Sequence, residues 1–104
     1  MVSKTTEEGD SVAYLLTHFW PGGTEEQYRV MLAGGHPPDG LPAGQNYHAA
    51  GPTEGGFLIA AVWDSKESSD RFVRDTLLPS MPVEGGFEGQ PDERAAEVSN
   101  LETG

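Results

Sequence analysis

Three histidines are present in these 104 residues, His18, His36 and His48, and imidazole is the side chain whose unperturbed pKa lies nearest neutrality. His48 or His18 could therefore take a proton from a weak acid such as a phenol. Asn46, two positions before His48, could donate a hydrogen bond to the anion that results. His36 precedes Pro37 in a loop and reads as solvated. The histidines are 18 and 12 positions apart with no HxH or HxxxH spacing, which is no metal-ligand pattern, so neither a metal nor another cofactor is expected. There is no Cys, which excludes disulfides and thiol nucleophiles. No Gly-x-Ser-x-Gly, P-loop or dinucleotide fingerprint occurs. Asp64, Glu67 and Asp70 read as a helix cap and a solvated helix face rather than an acid–base pair.

The elements that must position these groups are legible in part. Residues 1–10 are polar and aperiodic and read as a tail, leaving 11–104 as a single domain, since halves of it would be too small to bury a core. Val12 to Trp20 is rich in aromatic and branched residues and is closed by Pro21-Gly22-Gly23, the pattern of a first strand. Thr24 followed three residues later by Gln27 is a capping box, and Tyr28, Met31 and Leu32 give the helix one apolar stripe as far as Gly34-Gly35. The Pro-rich stretch His36 to Pro42 cannot be helical. Gly44 to Gly51 is a plausible second strand, Pro52 to Gly55 a turn, and Gly56 to Asp64 a third strand ending in Trp63. Ser65 or Asp64 then caps a second helix running to about Leu78, with Phe72, Leu77 and Leu78 on its buried side. Arg94 to Leu101 is a short fourth strand. The order β-α-β-β-α-β is the split βαβ, or ferredoxin-like, pattern of the α+β class.

Strand parity says which side chains share a face. An even hairpin loop around Pro52 to Gly55 pairs His48 with Phe57 or Ile59 and puts His48 and Asn46 on the face of Trp63. An odd loop puts Tyr47 there instead. Tyr14, Leu16 and His18 share one face of the first strand.

Both faces of the sheet are apolar. Leu58, Ala60 and Val62 are as hydrophobic as Phe57, Ile59, Ala61 and Trp63, and Leu15 and Phe19 lie opposite Tyr14 and Leu16. Two helices cover only one face, so a face-to-face homodimer is expected. The formal charge of -11, from 17 acidic and 6 basic residues, disfavours nucleic acid and anionic membrane as partners. No apolar stretch reaches the roughly 18 residues of a transmembrane helix, and the polar start is not a signal peptide, so a cytoplasmic protein is expected.

The βαββαβ order, with Phe57-Leu58-Ile59-Ala60-Ala61-Val62-Trp63-Asp64-Ser65-Lys66-Glu67 opening the second helix, resembles the dimeric α/β-barrel superfamily. Within it the chain is most similar to the antibiotic biosynthesis monooxygenase type. The resemblance spans about Val12 to Leu101 and is most specific over Phe57 to Phe72. It implies a dimer whose sheets form a barrel, with a cleft between sheet and helices lined by Trp63. It also implies a cofactor-independent oxygenase or a relative that isomerises or cyclises polyketide-like substrates. Many members carry a His nine positions after that Trp, where this chain has Phe72, so haem ligation is not expected.

On this alignment the first-strand face with Tyr14 borders the cleft. Its walls are then Tyr14, Leu16, Tyr28, Ile59, Trp63 and Phe72, with His18, His48 and Asn46 as polar points, a composition suited to a small aromatic molecule. The leading expectation is oxygenation of an aromatic or polyketide-like substrate with His48 or His18 as base. The alternatives are an isomerase or cyclase using the same His, and a non-catalytic dimeric binding or stress-associated protein. Histidines turned to the dimer seam favour the last; histidines converging on one void beside Trp63 favour an enzyme.

Overall fold

The computed structural model describes residues 12–35, 40–80 and 84–103; the N-terminal tail, His36 and its Pro-rich neighbours therefore lie outside the described residues. The elements are β1 (Tyr14–Pro21), α1 (Glu25–Gly35), β2 (Gln45–Thr53), β3 (Gly56–Trp63), α2 (Lys66–Phe72) and β4 (Asp92–Glu97). The strands form one antiparallel sheet in the order β2-β3-β1-β4, an α+β arrangement consistent with the ferredoxin-like pattern.

Local chemistry sets the helix starts. The amide of Gln27 donates to Thr24 Oγ1 at 3.1 Å while Gln27 Oε1 accepts from the Thr24 amide at 3.0 Å, so the capping box closes reciprocally. Ser65, not Asp64, caps α2, its Oγ accepting from the Ser68 amide at 3.1 Å. The second helix does not stay in the α form to Leu78. It passes into a π turn at Val73–Leu77 and a 3-10 turn at Leu78–Ser80. Pro79 can neither donate to the carbonyl four residues back nor avoid it sterically, so the α ladder cannot run on. The wider turn changes the angular register, and Leu78, expected on the buried side, is 60% exposed.

The β2–β3 hairpin is tighter than expected. Thr53 pairs with Gly56, leaving Glu54 and Gly55 as a two-residue loop with Gly55 at φ 85°. Pro52 belongs to the ladder, which an edge strand tolerates. His48 consequently faces Ala61 rather than Phe57 or Ile59, a shift of two residues that leaves its face unchanged.

The fourth strand starts two residues and ends four residues earlier than expected, and all its side chains are exposed. It is fixed by its ladder with β1 rather than by burial, so no apolar alternation marks it in the sequence. Among the described residues of the sheet, the buried apolar side chains are Leu16, Phe57, Ala61 and Trp63, all on the helix-covered face. Burying Phe57, 1% exposed, contributes about 1.5–3 kcal/mol. An aromatic cluster closes one end of this layer. Tyr28 stacks on Phe57 with centroids 4.9 Å apart, and Phe87, from the loop before β4, stacks on Trp20 at 4.8 Å.

Candidate functional site

The layer between sheet and helices holds a partly open cavity of about 290 Å³. Leu16 and His18 of β1, Ile59, Ala61 and Trp63 of β3, and Gln45 and His48 of β2 form its floor. Tyr28, Met31 and Leu32 of α1 cover it, with Phe72, Val73 and Leu77 from α2 and its π turn. Trp20, Phe87 and Pro91 line it too. The walls are thus largely apolar with a few polar groups, the usual makeup of a small-molecule site.

The polar groups are connected. The Tyr28 hydroxyl lies 2.6 Å from His48 Nε2, and His48 Nδ1 lies 3.0 Å from Gln45 Oε1. Gln45 Oε1 can only accept, so a neutral ring bonded to both partners would carry its proton on Nδ1 and leave Nε2 to accept from the Tyr28 O–H. A helix, an edge strand and the bulge at that strand's start each supply one member of the chain. Burial pushes the Tyr28 pKa above 10.0, Glu25 adds to the rise and Arg29 opposes it. Tyr28 therefore stays a neutral hydroxyl at physiological pH, able to give a proton to His48 while accepting another.

His18 also borders the cavity, and its Nε2 is held 2.8 Å from Glu93 Oε2 across the β1–β4 ladder. Both histidines thus lie on the helix-covered face, not on the bare face of the sheet.

Trp63 is 2% exposed, and its indole N–H is buried with no hydrogen-bond partner among the described residues. Phe72 packs against it with centroids 5.4 Å apart. An unpaired buried donor costs about 1–3 kcal/mol. Among the described residues no three His, Asp or Glu side chains are grouped to hold a metal ion, and no helix is long and apolar enough to cross a membrane.

Of the residues expected from sequence, His48, His18, Trp63, Leu16, Tyr28, Ile59 and Phe72 border this one cavity. Two do not. Tyr14 packs on the Leu16–Ala61–Trp63 cluster and lines a neighbouring cavity with Lys66 and Arg74. Asn46 is exposed and is the extra residue of a β-bulge: Gln45 pairs with Trp63 and Tyr47 with Val62, leaving Asn46 between them. The bulge substitutes Gln45 for Asn46 on the cavity wall. Gln45 itself was not anticipated, nor were Trp20, Phe87 and Glu93. Trp20 follows the same alternation as Leu16 and His18, so its place could have been read from parity, whereas the bulge carries no sequence signature beyond the preceding Gly44.

Comparison with family models, with curated proteins and with solved structures finds no match to this chain.

Proposed function

We propose that the protein binds a small aromatic or polyketide-like molecule with an acidic hydroxyl in this cavity and removes the hydroxyl proton. The observation that carries the reading is the Tyr28–His48–Gln45 hydrogen-bonded chain set into a largely apolar wall. An apolar site makes a free charge costly, so a positioned base is needed where the anion forms. The proton ends on His48, and the ligand oxygen keeps the bonding pair. A dihydroxyaromatic anion can then pass an electron to dioxygen, as the resemblance to antibiotic biosynthesis monooxygenases implies, without any resident cofactor.

The working unit in this proposal is a homodimer. Leu58 and Tyr47, 44% and 45% exposed, stand on the sheet face that no helix covers. Leu15, Phe19, Ala60 and Val62 share that face by their ladder positions. Across β1, β2 and β3 this face bears no charged side chain, in a chain whose formal charge is -11. Charge enters this face only at its β4 edge, where Asp92 and Arg94 pair with Phe19 and Thr17, so two copies can meet over β1, β2 and β3 and each supplies the apolar cover the other lacks.

The test is titration with a panel of hydroxynaphthoquinols and related phenols, following Trp fluorescence and dioxygen uptake in wild type and His48→Ala. Quenching together with uptake that falls at least about tenfold in the variant supports oxygenation. Quenching without uptake turns the reading to an isomerase or a binding protein. No quenching by any member of the panel refutes the ligand site.

A further inference from the structure

We infer that Gln45 is a positioning residue that sets the direction of the proton chain, so that Tyr28, not His48, is the group that meets the ligand's acidic hydrogen. The consequence for catalysis rests on the proposed proton abstraction; the tautomer that Gln45 imposes does not.

A neutral imidazole has one proton for two ring nitrogens, and its partners decide which nitrogen holds it. Among the described residues the partner of His48 Nδ1 is Gln45, which is buried and whose Oε1 lies 3.0 Å away. With the proton on Nδ1, the lone pair of Nε2 faces the Tyr28 hydroxyl at 2.6 Å. That lone pair is then committed to Tyr28, and the remaining acceptor capacity of the chain resides on Tyr28 Oη. Were the Gln45 amide turned over, its N–H would donate to Nδ1, the proton would sit on Nε2, and Tyr28 would become a donor toward the cavity. The amide orientation thus separates a proton-accepting site from a proton-giving one.

The step balances without an added reagent. The ligand O–H bond breaks and its proton forms a bond to Tyr28 Oη. The original Tyr28 proton moves to His48 Nε2. The ligand retains the electron pair as a phenolate or enolate, Tyr28 stays neutral, and His48 becomes an imidazolium donating to Gln45 and Tyr28.

The backbone explains why Gln45 occupies this place. Gly44 has φ 89°, and its carbonyl accepts from the Asp64 amide at 2.7 Å, while the Gln45 amide donates to the Pro42 carbonyl at 3.0 Å. The bulged Asn46 follows, which sets Gln45 opposite Trp63 on the cavity face. Without the bulge, alternation would put Asn46 on that face and turn Gln45 away.

Imidazole nitrogen NMR of the ligand-free protein, at alkaline pH where the ring is neutral, tests the assignment. The expected result is a His48 proton on Nδ1 in wild type. Gln45→Glu keeps an acceptor and keeps that tautomer, whereas Gln45→Leu shifts population to the Nε2–H form and lowers turnover about 10- to 100-fold. A wild-type proton on Nε2, or a tautomer unchanged in a folded Gln45→Leu, overturns the inference. If Gln45→Leu does not fold, the wild-type spectrum decides. Because this readout needs no ligand, it can fail while the ligand titration succeeds, and the reverse.

Discussion

The Tyr28 hydroxyl and His48 Nε2 stand 2.6 Å apart although the two residues are 20 positions apart, one on a helix and the other on an edge strand. Tyr28 is held from the other side by its stack on Phe57. The pair is therefore fixed by the packing of α1 on the sheet, and its chemistry depends on that packing.

Removing either member should disable proton transfer. Tyr28→Phe keeps the ring and loses the hydroxyl, and His48→Ala loses the acceptor. Each is expected to slow turnover of a phenolic substrate about 100-fold or more while ligand quenching of Trp fluorescence persists. The double variant should be little worse than either single one, because the two groups act as one unit. Additive losses in the double variant would mean that they act separately.

Alkaline pH should expose the raised pKa of Tyr28. Burial is its largest cause, with Glu25 adding to it, so between the unfolded and folded pKa values the native state holds a proton that the unfolded state has lost. The slope of stability with pH is then negative, and stability falls as pH climbs past the ordinary value of 10.0, with no contribution near neutrality. Tyrosinate absorbance should show one late-titrating tyrosine that disappears in Tyr28→Phe. An unchanged titration in that variant would contradict the assignment.

Gly44→Ala should destabilise the chain and disturb the site together. Residue 44 has φ 89°, and an added Cβ would fall 2.7 Å from Ser68 Cβ at the start of α2. Left-handed backbone strain and overpacking together should cost about 2 kcal/mol or more. Denaturant midpoints measure the loss, and the His48 imidazole signals report whether Gln45 moved. A midpoint within about 0.5 kcal/mol of wild type would show that the loop relaxes freely.

Phe57→Ala removes the ring beneath Tyr28. Phe57 is 1% exposed, so the substitution should cost about 3–5 kcal/mol, a large share of the stability of a domain this size. Phe57→Leu is the milder probe, expected to remain folded with a weakened Tyr28–His48 contact. Urea unfolding read by Trp fluorescence gives both values, and a near-neutral Phe57→Ala would show that this layer is not the core.

Leu58→Asp places a charge on the bare sheet face, between Phe19 and Gly51 near its hairpin end. Sedimentation at micromolar concentration should find a dimer in wild type and a monomer in the variant. A monomeric wild type at high concentration would end the assembly proposal.

The sequence by itself determined the elements and their order. The Thr24–Gln27 box, the Ser65 cap, the apolar run to Trp63 and the Gly-rich turns act over a few residues, so their outcome can be read from a few residues. Parity placed Ile59 and Trp63 on one face, but His48 joined them only if the hairpin loop was even, and the two-residue Glu54-Gly55 loop decided that. Parity failed at Asn46, where one extra residue breaks the alternation and puts Gln45 on the wall. Tertiary structure decided the rest. Glu93 reached His18 only through the β1–β4 ladder, and its strand, exposed throughout, had no pattern to betray it. Phe87 joined the aromatic end of the cavity from a loop whose path depends on what it packs against. The contact between Tyr28 and His48 depends on where a helix settles on a sheet, and no local preference of either segment specifies that distance.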